Sequence, residues 1–93
     1  MIVRSNEKYI DALYDALLKL HSKEEITAFF EDLCTRNEVH AMGQRLEVAR
    51  LLSENVPYNE IADKTGASTA TISRVAKALN YGSGGYKLVL GEE

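Results

Sequence analysis

Apolar side chains recur at helical spacing almost from the start of the chain. Ile10, Leu13, Leu17 and Leu20 follow an i, i+3, i+7, i+10 course, widened by Tyr9, Ala12 and Ala16, which predicts an amphipathic helix from about Asn6 to His21. Ser22-Lys23-Glu24-Glu25 then has the form of a capping box, in which the serine oxygen accepts an N–H of the first turn and the glutamate reaches back. A second helix follows, with Ile26, Phe29, Phe30 and Leu33 expected inward. Thr35-Arg36-Asn37-Glu38 repeats the form, and Val39, Met42, Leu46 and Ala49 carry a third helix to about Glu54. Val48, Leu51 and Leu52 give that helix a second apolar set, more than one layer of neighbours would cover. Residues 6–54 therefore read as dimerising helices.

Pro57 lacks an N–H and is best placed at the opening of a helix, here Tyr58 to about Thr65. Gly66 supplies the left-handed backbone of a sharp stop, Ser68 is a good N-cap, and Thr69 to about Asn80 forms the next helix. Residues 57–80 thus read as a helix-turn-helix. The remainder, 81–93, reads as a flexible C-terminal tail: Tyr81-Gly82-Ser83-Gly84-Gly85 is a link, and Tyr86-Lys87-Leu88-Val89-Leu90 is open to a short strand, a docked arm or disorder.

Length and composition narrow the class. Ninety-three residues make one domain, with no room for a separate cofactor domain, and 45% apolar with 27% charged residues is ordinary for a globular protein. No apolar run is long enough for a membrane span, and Met1 to Asn6 does not resemble a signal peptide, so the expected location is the cytoplasm, without membrane partners. Cys34 has no disulfide partner in the chain and reads as a small buried apolar residue. His21 and His40 stand alone, so no metal site and no cofactor are expected. No paired carboxylates, nucleophile–base set or phosphate-cradling loop is recognisable, which argues against an enzyme.

The net charge of −3 would by itself disfavour a nucleic-acid partner, but it is unevenly spread. Residues 1–63 hold seven basic and twelve acidic side chains, whereas residues 64–91 hold Lys64, Arg74, Lys77 and Lys87 and no acid. Any attraction for phosphate must come from the second stretch, where the helix-turn-helix lies.

A DNA-reading helix-turn-helix needs a small residue where its helices touch, a glycine at the turn and an apolar inner stripe on the second helix. Ala62, Gly66 and the set Ile72, Val75, Ala76 and Leu79 meet these needs. The outer side is left with Thr69, Ala70, Ser73, Arg74 and Lys77, which are short, hydroxylated or basic. Short side chains let a helix approach base edges, while arginine or lysine reaches guanine or phosphate. A plain helical hairpin would more commonly mix lysine with glutamate on its solvent face.

Ala41-Met42-Gly43-Gln44-Arg45, then Leu51-Leu52, Glu60-Ile61, Gly66-Ala67 and Ala70-Thr71-Ile72-Ser73-Arg74 resemble the Trp repressor family, most of all its YerC/YecD-related branch. The resemblance covers about residues 35 to 80 and implies an all-α fold, an intertwined helical dimer and paired helix-turn-helix units on operator DNA. It places DNA contacts on Tyr58, Asn59, Ser68, Thr69, Ala70, Thr71 and Ser73. It also implies a corepressor pocket, to which Arg74, Thr71 and Arg45 correspond, with Gln44 the alternative to Arg45 because the third helix is one residue shorter here. Val75 stands where the family's repressor has a glycine, and Ala78 where it has a serine. A valine would fill the slot that receives an indole ring, so the effector pocket Arg45, Thr71, Arg74, Val75 and Ala78 is expected not to take tryptophan. Arg45 and Arg50 also have Glu47 and Glu54 within reach as surface partners. The resulting expectation is a homodimeric transcriptional regulator, a repressor in type, that binds double-stranded DNA. The alternative is a small helical adaptor whose helix-turn-helix docks another protein.

Overall fold

The computed structural model describes residues 4–91. Among them are helices α1 (Arg4–Leu17), α2 (Lys23–Leu33), α3 (Arg36–Ser53), α4 (Tyr58–Thr65), α5 (Thr69–Tyr81) and α6 (Gly85–Leu90), and no strand. Met1–Val3, at the start of the stretch compared with a signal peptide, and the tail residues Glu92 and Glu93 lie outside the described residues. The chain divides into two compact units, residues 1–36 and 37–93.

In the first unit, α1 stops at Leu17 and does not continue to His21. The following N–H groups turn to carbonyls three residues back, Lys19 to Ala16 at 3.1 Å and Leu20 to Leu17 at 3.2 Å, which tightens and closes the helix. Ser22 caps α2 through its hydroxyl, which accepts from the Glu25 N–H at 3.1 Å. The reciprocal arm of the box is displaced by one residue: Glu25 Oε1 accepts from the His21 N–H at 2.7 Å. The ends of α2 are thus fixed locally, by Ser22 and by Cys34, half-buried, whose N–H donates to the Phe30 carbonyl at 2.8 Å.

The faces of these helices depart from the sequence reading. Ile26 and Leu33 are 43% and 51% exposed, and no residue of α2 is buried. Phe29 and Phe30 are half-buried, with their rings tilted against each other at a centroid distance of 6.3 Å. Periodicity correctly identifies a helix with an apolar stripe, but says nothing of what covers it.

The second unit closes a core. Val48, Ala49 and Leu51 of α3, Ile61 of α4, Ala67 of the turn, and Ile72 and Val75 of α5 form one buried cluster. Of the α3 stripe read from the sequence, Ala49 is buried, whereas Val39, Met42 and Leu46 remain exposed. It is the second apolar set, Val48 and Leu51, that faces the core. At the end of α3, Asn55 takes the left-handed conformation at φ 65°, and the Val56 N–H returns to the Leu51 carbonyl at 3.1 Å.

Residues 85–90 are neither a strand nor a disordered tail; of the three readings left open for residues 86–90, they take that of a docked arm. They form α6, framed by Gly84 at φ 86° and Gly91 at φ 80°. Gly84, which reads as part of a link, serves here with Gly91 as a cap, since both need a backbone conformation that other residues adopt only under strain. Tyr86 and Leu90, one turn apart, share a face and pack on the core.

Candidate nucleic-acid interface

The interface candidate is the α4–turn–α5 segment, and local chemistry sets its shape. Gly66, at φ 74°, ends α4 and donates its N–H to the Ala62 carbonyl at 2.9 Å. Thr65 fastens the turn from both sides: its hydroxyl donates to the Ile61 carbonyl at 2.8 Å and accepts from the Ala67 N–H at 3.1 Å. Ala67 is buried, which pins the connection to the core. Ser68 then caps α5, accepting from the Thr71 N–H at 3.1 Å, while its own hydroxyl donates to Thr71 Oγ1 at 3.1 Å.

Burial divides α5 into two faces. Ile72, Val75 and Leu79 are buried and Ala76 is half-buried, so the inner stripe is anchored. Ser68, Thr69, Ala70, Ser73, Arg74 and Lys77 are exposed, and Thr71 is half-buried at the edge between the faces. Tyr58 and Asn59 are exposed at the start of α4. The nine residues singled out for DNA therefore all lie on this one helical pair, those of α5 on its outer face or at the edge of it. No acidic residue occurs anywhere in α5.

Three carboxylates of α3, its C-terminal end and α4 are ion-paired. Arg50 bonds Glu47 through Nη2 at 2.6 Å and Nε at 3.0 Å, and Glu54 through Nη1 at 2.9 Å. The Arg50 hydrogen bonds hold the Glu47 carboxyl below the usual carboxylate range, and Glu47 in turn pushes the Arg50 guanidinium further up. Lys64 pairs with Glu60 across one turn of α4 at 3.2 Å. These exposed pairs add little stability.

The residues matched to an effector pocket are spread over different surroundings. Val75 is 1% exposed inside the core, Arg74 is exposed, Arg45 is half-buried, and the Thr71 hydroxyl is engaged by Ser68. Ala78 instead lines an open apolar groove of about 440 Å³ with Leu46, Ser83, Gly85, Tyr86 and Val89. Sequence reasoning missed the α6 side of this groove. It also missed the hydrogen bond from Gln44 Nε2 to the Thr65 carbonyl, 3.0 Å long. The available signal was position: Gln44 is one turn before Val48, a polar residue prolonging a buried stripe.

Comparison with known proteins supports the all-helical fold. The Trp repressor protein family matches residues 8–93. The uncharacterized protein YerC of Bacillus subtilis is 52% identical over 83 residues, covering 89% of this chain and 80% of its own. Among solved structures, a TrpR-like protein from Eubacterium eligens superposes with a TM-score of 0.87 at 50% identity, covering 90% of this chain and 87% of its own. A candidate Trp repressor from Staphylococcus aureus gives a TM-score of 0.87 at 40% identity, covering 97% and 93%.

Proposed function

The chain belongs to the Trp repressor protein family, and from that premise we propose that it is a sequence-specific DNA-binding transcriptional regulator, of repressor type, acting in the cytoplasm as a homodimer. The observation that carries this reading is the outer face of α5. Thr69, Ala70 and Ser73 are short and exposed, Arg74 and Lys77 are basic, and no carboxylate interrupts them. Thr69 and Ser73 are assigned to base edges, Lys77 to phosphate and Arg74 to either, with Tyr58, Asn59, Ser68, Ala70 and Thr71 at the margin of the contact.

Homodimerisation is supported by what one chain leaves uncovered. Ile10, Tyr14, Leu18, Ile26, Leu33 and Met42 are all more than one-third exposed, and no described side chain between Glu7 and Arg36 is buried. Apolar surface of that extent is covered in a stable protein. Two copies would present paired α5 helices about 34 Å apart, one turn of DNA.

The burial of Val75 supports a regulator that works without L-tryptophan. Its side chain occupies core volume where the family's repressor leaves a slot, and Ala78 offers no hydroxyl to a ligand ammonium. Admitting an indole there would displace α5, and overpacking of that kind costs about 1–3 kcal/mol. Selection of bound duplexes from a random DNA pool, in the absence of tryptophan, tests the reading. Recovery of a palindrome with half-sites one helical turn apart is expected; a pool that stays random would contradict it.

A further inference from the structure

The helix-turn-helix rests on α3 through two kinds of contact. Val48 and Leu51 contribute apolar burial, which is non-directional and tolerates sliding and rotation. Gln44, one turn before Val48 on the same face, contributes a hydrogen bond to the Thr65 carbonyl at 3.0 Å, which does not. That carbonyl belongs to the last turn of α4, where backbone acceptors have no partner within their own helix. Gln44 supplies the partner from a different element, 21 residues away in sequence.

The amide lies over the turn itself: a side-chain carbon placed on Gly66 would have Gln44 Nε2 as its nearest neighbour, at 4.0 Å. From Thr65 to the N-cap of α5 is three residues, and that connection is held by the Thr65–Ala67 bond, the left-handed Gly66 and the buried Ala67. An anchor on the Thr65 carbonyl therefore acts on the start of α5. The 13 residues of α5 extend roughly 20 Å, so a tilt of about 10° at its start would carry its far end about 3 Å. Hydrogen bonds to base edges tolerate a few tenths of an ångström.

We propose that Gln44 is a positioning residue for DNA recognition: its bond to the Thr65 carbonyl fixes the angle at which α5 leaves the turn, so that the reading face is held in register by the fold and not by a bound effector. The proposal rests on the DNA-binding reading above. It assigns Gln44 no contact with DNA.

The test compares the parent with Gln44→Met, which keeps the length of the side chain and removes the donor, and Gln44→Lys, which restores a donor. The quantity measured is the ratio of affinity for the selected duplex to that for a scrambled duplex at the same salt, in which an added charge largely cancels. Loss of one well-placed hydrogen bond is worth about tenfold, so Gln44→Met should lower the ratio by roughly that factor while far-ultraviolet circular dichroism and sedimentation stay unchanged. Gln44→Lys should recover most of the ratio. Amide exchange at Gly66 and Ala67 should accelerate in Gln44→Met while Ile72 and Val75 keep their protection, a pattern that general destabilisation would not give. An unchanged ratio in Gln44→Met, a Gln44→Lys ratio as low as that of Gln44→Met, or uniform loss of protection would overturn the role of Gln44. A parent that prefers no duplex would overturn the DNA reading and this role with it.

Discussion

Residues 7–36 and residues 37–91 are both made of amphipathic helices, but their side chains end in different states. In the second set, α3, α4 and α5 bring Val48, Ile61, Ile72 and Val75 to 1% exposure or less. In the first, Ile10 remains 48% exposed, Tyr14 58% and Leu33 51%, and nothing is buried. The difference does not lie in local helix chemistry, since α2 has the better-formed N-terminus, with Ser22 and Glu25 both engaged. It lies in how much apolar surface each set meets within its own unit. Helix formation needs only near neighbours, whereas a core needs partners. The second set finds them in its own turn and helices; in the proposed homodimer, the first finds them in another copy.

The contrast can be broken most severely in the first set. Leu33→Asp would be nearly silent if that exposed position truly faced water. Facing a partner chain, it should weaken the dimer by about 3 kcal/mol, roughly a hundredfold in dissociation constant, and analytical ultracentrifugation at micromolar concentration should show monomer. In the second set, Val75→Ala should cost about 2 kcal/mol in urea denaturation by emptying part of a closed core, while sedimentation still shows a dimer. A dissociated Val75→Ala or a dimeric Leu33→Asp would erase the distinction.

Smaller effects test the frame of the reader. Gly66→Ala should lose about 1–2 kcal/mol in the same assay, from left-handed backbone strain alone, because its new carbon meets only Gln44 at 4.0 Å. Ser68→Ala should lose about 1 kcal/mol through the N-cap of α5. The smallest change concerns Glu47, whose carboxyl is held below its ordinary range by Arg50. A depressed folded-state value means that the pair stabilises above the ordinary carboxylate pKa and loses its contribution as pH falls through the lowered one. Thermal melts of the parent and Glu47→Gln should therefore differ slightly at neutral pH and converge in acid.

Much of this arrangement is legible without coordinates, for reasons that differ by element. Pro57, Gly66 and Ser68 mark the boundaries of α4 and α5 because each acts on the backbone next to it. The inner stripe of α5 is legible because Ile72, Val75 and Leu79 repeat at helical spacing in a helix with one core to face. The outward stripe of α2 is not, because periodicity gives the direction of an apolar face and says nothing about what covers it. Helix α6 escapes for another reason: Gly84 and Gly91 cap a short helix, yet in sequence Gly84 and its neighbours are indistinguishable from a flexible link. Gln44 illustrates the last limit. A hydrogen bond spanning 21 residues has no local signature, and the family resemblance offered Gln44 only as the alternative to Arg45 in an effector pocket.

The central claim, that two chains read one duplex through the basic outer face of α5, is tested most directly by titrating the selected palindrome over a range of salt concentrations with the parent and with Lys77→Ala. Two chains per duplex are expected, with an affinity that falls linearly on a log–log plot. Lys77→Ala should show a shallower slope by about one for each chain's lost phosphate contact. One chain per duplex, or a parent whose binding does not change with salt, would contradict the claim.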